Sequence, residues 1–169
     1  IQEGKSVFVA YNKATGEMSI APSIDLEGYS VCPITGSMLE AIMLPTGVEE
    51  YGDTLQLVAT ITQFVHDYVD LPKNKAEFAT WYILLSWVYD KLTTICYLRF
   101  RGDTGCGKSR SLDVIGNVCY KPMNLSGATT PAPIYRLIRK FRGTLIIEEA
   151  DFRNSDEKSE VVTILNCLV

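Results

Sequence analysis

Two short stretches hold side chains whose types and spacing suit phosphate chemistry. The first, Gly102-Asp103-Thr104-Gly105-Cys106-Gly107-Lys108-Ser109, fits G-x-x-x-x-G-K-[ST]. A loop that wraps a β-phosphate needs open space at its tight positions and backbone angles that side chains resist. Glycines at 102, 105 and 107 supply both. Backbone N–H groups from about Thr104 to Ser109 then converge on phosphate oxygens at a helix N-terminus. Lys108 reaches the β- and γ-phosphates as a point charge, and the Ser109 hydroxyl is offered to Mg²⁺. Arg110 follows directly and completes the candidate set for ATP. The second stretch is Thr144-Leu145-Ile146-Ile147-Glu148-Glu149-Ala150-Asp151. A buried strand there delivers consecutive carboxylates to the carboxyl end of a sheet, where ligands bind in open α/β folds. One acid in that position can hold a Mg²⁺ shell through water, and the next can polarise an attacking water. The plainer alternatives are a glycine-rich turn with no ligand and an ordinary polar strand end.

A strand before the first motif and a helix after it are the context that confirms it. Thr94-Ile95-Cys96-Tyr97-Leu98-Arg99-Phe100 is β-branched and aromatic and reads as a buried strand. From Lys108 to about Cys119, Leu112, Ile115 and Cys119 recur at helical spacing. Beyond it, Lys121–Gly127 reads as a short strand that tolerates Pro122 at an edge. Pro131 or Pro133 opens a helix carrying Ile134, Leu137, Ile138 and Phe141. Asn154 or Ser155 can cap a last helix through Val161, Ile164, Leu165 and Leu168, with a strand as the alternative.

Upstream of the motif, Ser6–Tyr11 and Glu17–Ala21 flank Asn12-Lys13-Ala14-Thr15-Gly16 as a β-hairpin with a long loop. Prolines and glycines between 22 and 53 indicate short strands and turns. Asp53 or Thr54 caps a helix through about Val69, stopped by Leu71-Pro72. A second helix runs from about Lys75 to Leu92. Phe78, Trp81, Tyr82, Leu84, Leu85, Trp87, Val88 and Tyr89 make it apolar nearly all round, so it is expected to be buried. Its aromatics suit core packing better than base stacking. His66 is expected at a surface or boundary.

Composition bounds the class. The 169 residues are 47% hydrophobic and 21% charged, as in an ordinary globular protein with room for a good core. No run is long enough to span a bilayer as a helix, and no signal peptide is evident. Five cysteines without a C-x-x-C, and one histidine, argue against zinc and for reduced thiols in a cytoplasmic protein. Cys106 is expected to be the reactive thiol because it lies in the nest, with Cys96 and Cys119 shielded. The net charge of −4 conceals a segment, 99–142, with nine basic and two acidic residues. That segment suits phosphates of a nucleotide or of nucleic acid; the alternative is that Arg136, Arg139, Lys140 and Arg142 form one solvated helix face. The chain starts at Ile1, and a piece of a longer polypeptide is expected.

From about Trp81 to Val169 the chain resembles the AAA+-like branch of P-loop NTPases. It is most similar to helicase superfamily 3 and the primase-associated ATPases of phages, plasmids and related mobile elements. The resemblance rests on G-D-T-G-C-G-K-S after a helix and a Y-L-R-F strand, on Ser126-Gly127-Ala128-Thr129-Thr130 between strand and helix, and on L-I-I-E-E-A-D about forty residues further on. It implies an α/β fold with a three-layer αβα P-loop core, truncated here, behind the N-terminal β-hairpin region and a helical pair. The divisions are 1–52, 53–92 and 93–169. By position it implies Lys108 and Ser109 for phosphate and magnesium, Glu148 for the magnesium-associated acid and Glu149 for the catalytic one, with Asp151 supporting. Glu148 departs from the family's usual Asp by one methylene. No N-K-x-D follows the loop, which argues against guanine specificity.

The resemblance further implies a homo-oligomeric ring, DNA as partner of the complete protein, and a further strand between the P-loop strand and the acidic strand. That strand's sensor residue, the arginine finger and the lid are not recognised here. A sheet lacking the strand is expected to have a gap, and the fragment to hydrolyse ATP slowly. The expected function is ATP–Mg²⁺ binding and hydrolysis as the motor part of a replication helicase or primase-helicase. The alternatives are a nucleotide-regulated switch or assembly ATPase, and a nucleic-acid-binding structural module with an inactive loop.

Overall fold

A computed structural model describes residues 5–36, 39, 42–126 and 131–148. The chain divides into two compact units, Ile1–Glu50 and Tyr51–Val169. The fold mixes helices with small sheets. No helix among the described residues is long and apolar enough to cross a membrane.

The first unit is built from two hairpins. Strands β1 (Phe8–Tyr11) and β2 (Met18–Ala21) pair antiparallel, Phe8 opposite Ala21 and Tyr11 opposite Met18. The intervening loop is closed by Asn12 N–H donating to the Glu17 carbonyl and Gly16 N–H to the Asn12 carbonyl. Strands β3 (Ile24–Leu26) and β4 (Tyr29–Val31) pair across Glu27-Gly28, where Gly28 takes the positive φ that such a tight turn demands.

The second unit opens with helix α1 (Thr54–Tyr68). Asp53 caps it: the carboxylate accepts from Gln56 N–H, and the Gln56 side chain accepts from Asp53 N–H. Helix α2 (Lys73–Trp87) packs against α1. The expectation of burial all round is corrected here. The buried face of α2 is Ala76, Ala79, Thr80, Ile83 and Ser86, whereas Phe78 and Trp81 are 56% and 54% exposed. Small residues let the two helices approach, and a hydrogen bond between Thr62 and Thr80 hydroxyls, 2.9 Å, crosses the contact. Phe78, Trp81 and Trp87 lie off that face and are exposed, while Ile83 is buried in it and Tyr82 packs against the core. The helix also stops at Trp87 rather than Leu92, passing into a 3-10 turn at Tyr89–Lys91.

Helix α3 (Lys108–Gly116) packs on both α1 and α2. The core common to the three comprises Val65, Ala76, Ala79, Ile83, Ile115 and Cys119, with Leu98 and Phe100 packed against it. Residues 94–100, read from the sequence as a buried strand, form no ladder and are not a strand. Leu98 and Phe100 turn to the core while Tyr97 and Arg99 are exposed, so the side-chain alternation of a strand is present without a neighbour to bond. The phenol of Tyr82 takes a backbone hydrogen bond from Leu98, and burial raises its pKa to about 12.

Strands β5 (Met123–Ser126) and β6 (Leu145–Glu148) pair in parallel, Met123 with Leu145 and Ser126 with Glu148. Helix α4 (Pro131–Phe141) connects them, with Ile134 and Phe141 buried and Arg136, Arg139, Lys140 and Arg142 exposed. Arg136, Arg139 and Lys140 are therefore on the solvated face of this helix, and Arg142 lies just past its end. Helix α3 lies against β6, and Gly116 makes that approach possible: a Cβ there would come within 2.6 Å of Ile146 Cδ1. At the start of the sheet Thr144 N–H donates to the Tyr120 carbonyl and Met123 N–H to the Thr144 carbonyl. A Cβ on Gly143 would collide with the Lys121 backbone carbonyl, so this crossing admits only glycine.

Candidate phosphate-binding site

The loop 102–109 turns directly into α3, whose N-cap is Gly107 in the left-handed region, φ 82°. Gly105 has the same hand, φ 83°. Neither glycine has an atom within 4 Å of where a Cβ would stand, so both are required by backbone conformation rather than by a wall. At Gly102 the reason differs. Its φ is not positive, but a Cβ would lie 2.5 Å from Cys106 Sγ. The thiol thus packs against Gly102 within its own loop.

Lys108 ties the loop together. Its Nζ donates to the Gly102 carbonyl at 2.8 Å and to the Asp103 carbonyl at 2.6 Å, and stands 3.8 Å from Cys106 Sγ. The ammonium is thereby strung across the loop from its last turn to its first residues. Inside the loop Cys106 N–H donates to the Asp103 carbonyl, and the ladder of α3 begins with Ser111 N–H on the Gly107 carbonyl. Among the described residues, the N–H groups of Thr104, Gly105, Gly107, Lys108 and Ser109 have no protein acceptor. They are the donors that a helix start leaves over, together with those of the turn before it. One ammonium, several uncommitted N–H groups and a helix N-terminus collected in eight residues form a cradle for a multiply charged anion.

The remaining candidates are placed as follows. Ser109 is exposed in the first turn of α3. Arg110 is directed elsewhere than the loop: its Nε donates to the Tyr68 carbonyl at the end of α1, 3.3 Å, and its Cζ lies 5.7 Å from the centre of the Tyr68 ring. Glu148 is exposed at the end of β6. Among the described residues, no hydrogen bond or ion pair joins Glu148 to Ser109 or Lys108, and no cluster of three or more metal-ligating side chains occurs. One hydroxyl and one carboxylate suit Mg²⁺ only as partners to phosphate oxygens and water. Glu149, Asp151, the stretch 127–130, the expected last helix and Cys167 lie outside the described residues.

The thiols sort by burial. Cys106 is exposed, as are Cys32 and Cys96; shielding of Cys96 was expected from a strand that does not form. Cys119 is buried, its pKa pushed up to about 11 by burial. His66 is exposed in the last turn of α1. Tyr68 was given no role by sequence reasoning. The available signal was its position four residues after Phe64, an aromatic pair on one helix face.

No family model, curated protein or solved structure matches this chain.

Proposed function

We propose that the chain is the nucleotide-binding part of a Mg²⁺-dependent P-loop ATPase, built on a three-layer αβα core and serving as the motor of a DNA replication helicase or primase-helicase. The observation that carries the reading is the Lys108 ammonium bonded across the loop to the Gly102 and Asp103 carbonyls, in a loop whose Gly105 and Gly107 are left-handed. That arrangement gathers positive charge and N–H donors where a β-phosphate would sit. Six residues separate Gly116 from the start of β5, and a helix that feeds a strand through so short a connection would run against it, which would leave the loop on the side of the sheet where β6 ends in Glu148. Ser109 and Glu148 would then supply the protein's share of a Mg²⁺ shell, and the metal would neutralise charge on the phosphates. Glu149 would orient the attacking water. In the proposed complete assembly DNA is the partner, and a ring of copies supplies the arginine finger.

A nucleotide-regulated switch without translocation is the second reading, favoured by the longer arm of Glu148 where the related ATPases usually carry Asp. Mg²⁺-dependent ATP turnover, measured with and without single-stranded DNA, separates the two. Stimulation by DNA is the expected result, and turnover indifferent to DNA assigns the switch. Within the same assay, Glu149→Gln should keep ATP bound while turnover falls by about 10²–10⁴, the usual worth of a positioned base. Loss of binding and turnover in step would remove Glu149 from the catalytic role.

A further inference from the structure

The contact between Arg110 and Tyr68 joins the first turn of α3 to the last residue of α1. Arg110 stands two residues beyond Lys108, and helical side chains lean toward the helix N-terminus. Its guanidinium turns to the end of α1, where the Tyr68 ring lies beside it, 5.7 Å from Cζ to ring centre, so Tyr68 is joined to the residue that directly follows Ser109 of the loop. The ring is held from two directions. Phe64, one turn earlier on α1, meets it at 4.9 Å with the planes tilted by 51°, and Arg110 fixes the Tyr68 carbonyl. Even so, Tyr68 is 51% exposed. A half-exposed tyrosine, paired with Phe64 and bonded to the helix that begins in the phosphate cradle, is positioned for a flat, π-bearing part of the ligand whose charged part the cradle takes.

We propose that Tyr68, oriented by Phe64 and Arg110, is the stacking platform for the nucleobase of the bound nucleotide, and that a purine is the preferred base because it offers the larger face. The inference rests on the phosphate-binding reading of the loop. Arg110 accordingly acts by fixing the platform, with its charge over the ring, rather than by binding phosphate.

Calorimetric titration of the full chain with ATP, and separately with inorganic tripolyphosphate, tests this. Tripolyphosphate carries the charge without the base, so it reports on the loop and on correct folding, while the ratio of the two affinities reports on the base. The wild-type chain should bind ATP more tightly than tripolyphosphate. Tyr68→Ala should weaken ATP by about five- to a hundred-fold, the range for stacking one base on an aromatic ring, with a far smaller change for tripolyphosphate. Tyr68→Trp, which keeps an aromatic face, should restore most of the preference for ATP. Equal losses of both ligands in Tyr68→Ala, or an unchanged ratio, would overturn the platform while leaving the loop as a phosphate site. Binding of neither ligand by the wild-type chain would overturn the loop reading and the platform with it.

Discussion

Lys108 shows how a single side chain can carry both architecture and charge. Its three donors are partly used on two loop carbonyls, which holds the loop closed, and its charge stays among N–H groups that have no protein acceptor. Gly105 and Gly107 carry left-handed angles that other residues adopt only with strain. The left-handed angles were legible in the sequence because glycines at that spacing are what a tight phosphate loop requires, whereas the Lys108 bonds to the Gly102 and Asp103 carbonyls were not. The purpose of Gly102 was not, since it depends on where the Cys106 sulfur turns. Cys119 and Tyr82 yield a prediction about alkaline pH. Both are acids whose pKa is raised on folding, to about 11 and about 12, chiefly by burial. The folded chain keeps protons that the unfolded chain releases above pH 9 and 10, so stability falls as pH rises through that range up to about 12. Each group contributes about 1.4 kcal/mol per pH unit while it is protonated only in the folded state. Melting temperatures should hold steady from pH 7 to 8.5 and then decline, and Cys119→Ala should lessen the slope between pH 9 and 11. An unchanged slope in that variant would show that the Cys119 thiol is not the titrating group.

Helix α3 is positioned by small residues rather than large ones. Gly116 abuts Ile146 on β6, and Thr80 with its alanine neighbours lets α2 approach α1. Helical periodicity identified α1, α3 and α4 because Val65, Ile115, Ile134 and Phe141 recur on single faces. For α2 it found the helix but not the face, which is made of Ile83 and small residues while Phe78, Trp81 and Trp87 are exposed. It also overstated residues 94–100, since β-branched composition describes a strand's side chains and not the partner it needs for its backbone. The close contact of α3 with β6 makes Gly116→Ala informative. Alanine favours helix over glycine by about 1 kcal/mol, whereas overpacking against a buried isoleucine costs about 1–3 kcal/mol. The clash at 2.6 Å and 2.7 Å to two Ile146 carbons decides for overpacking, and a net loss of about 1–2 kcal/mol is expected in denaturant unfolding. Ile146→Ala alone should cost about 2–5 kcal/mol, and the double variant should lose less than the sum by about 1 kcal/mol. Strict additivity would mean that Gly116 is not held against Ile146.

The second unit gathers the cradle, Tyr68, Ser109 and Glu148 in one stretch of chain. Its sheet has two described strands, and the segment leading into the loop lies on the core without joining them. That ATPase resemblance was read from two motifs because phosphate chemistry constrains residue types tightly. The role proposed for Tyr68 was hidden because it depends on α1 ending beside α3, a contact between residues forty-two positions apart. All of these proposals depend on one property, the capacity of the loop 102–109 to hold a triphosphate. Calorimetric titration of ATP–Mg²⁺ into the wild-type chain and Lys108→Ala, with the melting temperature of each recorded alongside, measures it directly. Removing the ammonium takes away a charge-assisted contact of about 1.5–3 kcal/mol, so affinity should fall about ten- to more than a hundred-fold while the variant still unfolds cooperatively. Equal affinity in the two proteins, or no heat of binding in the wild-type chain, would contradict the reading of this loop as a phosphate site.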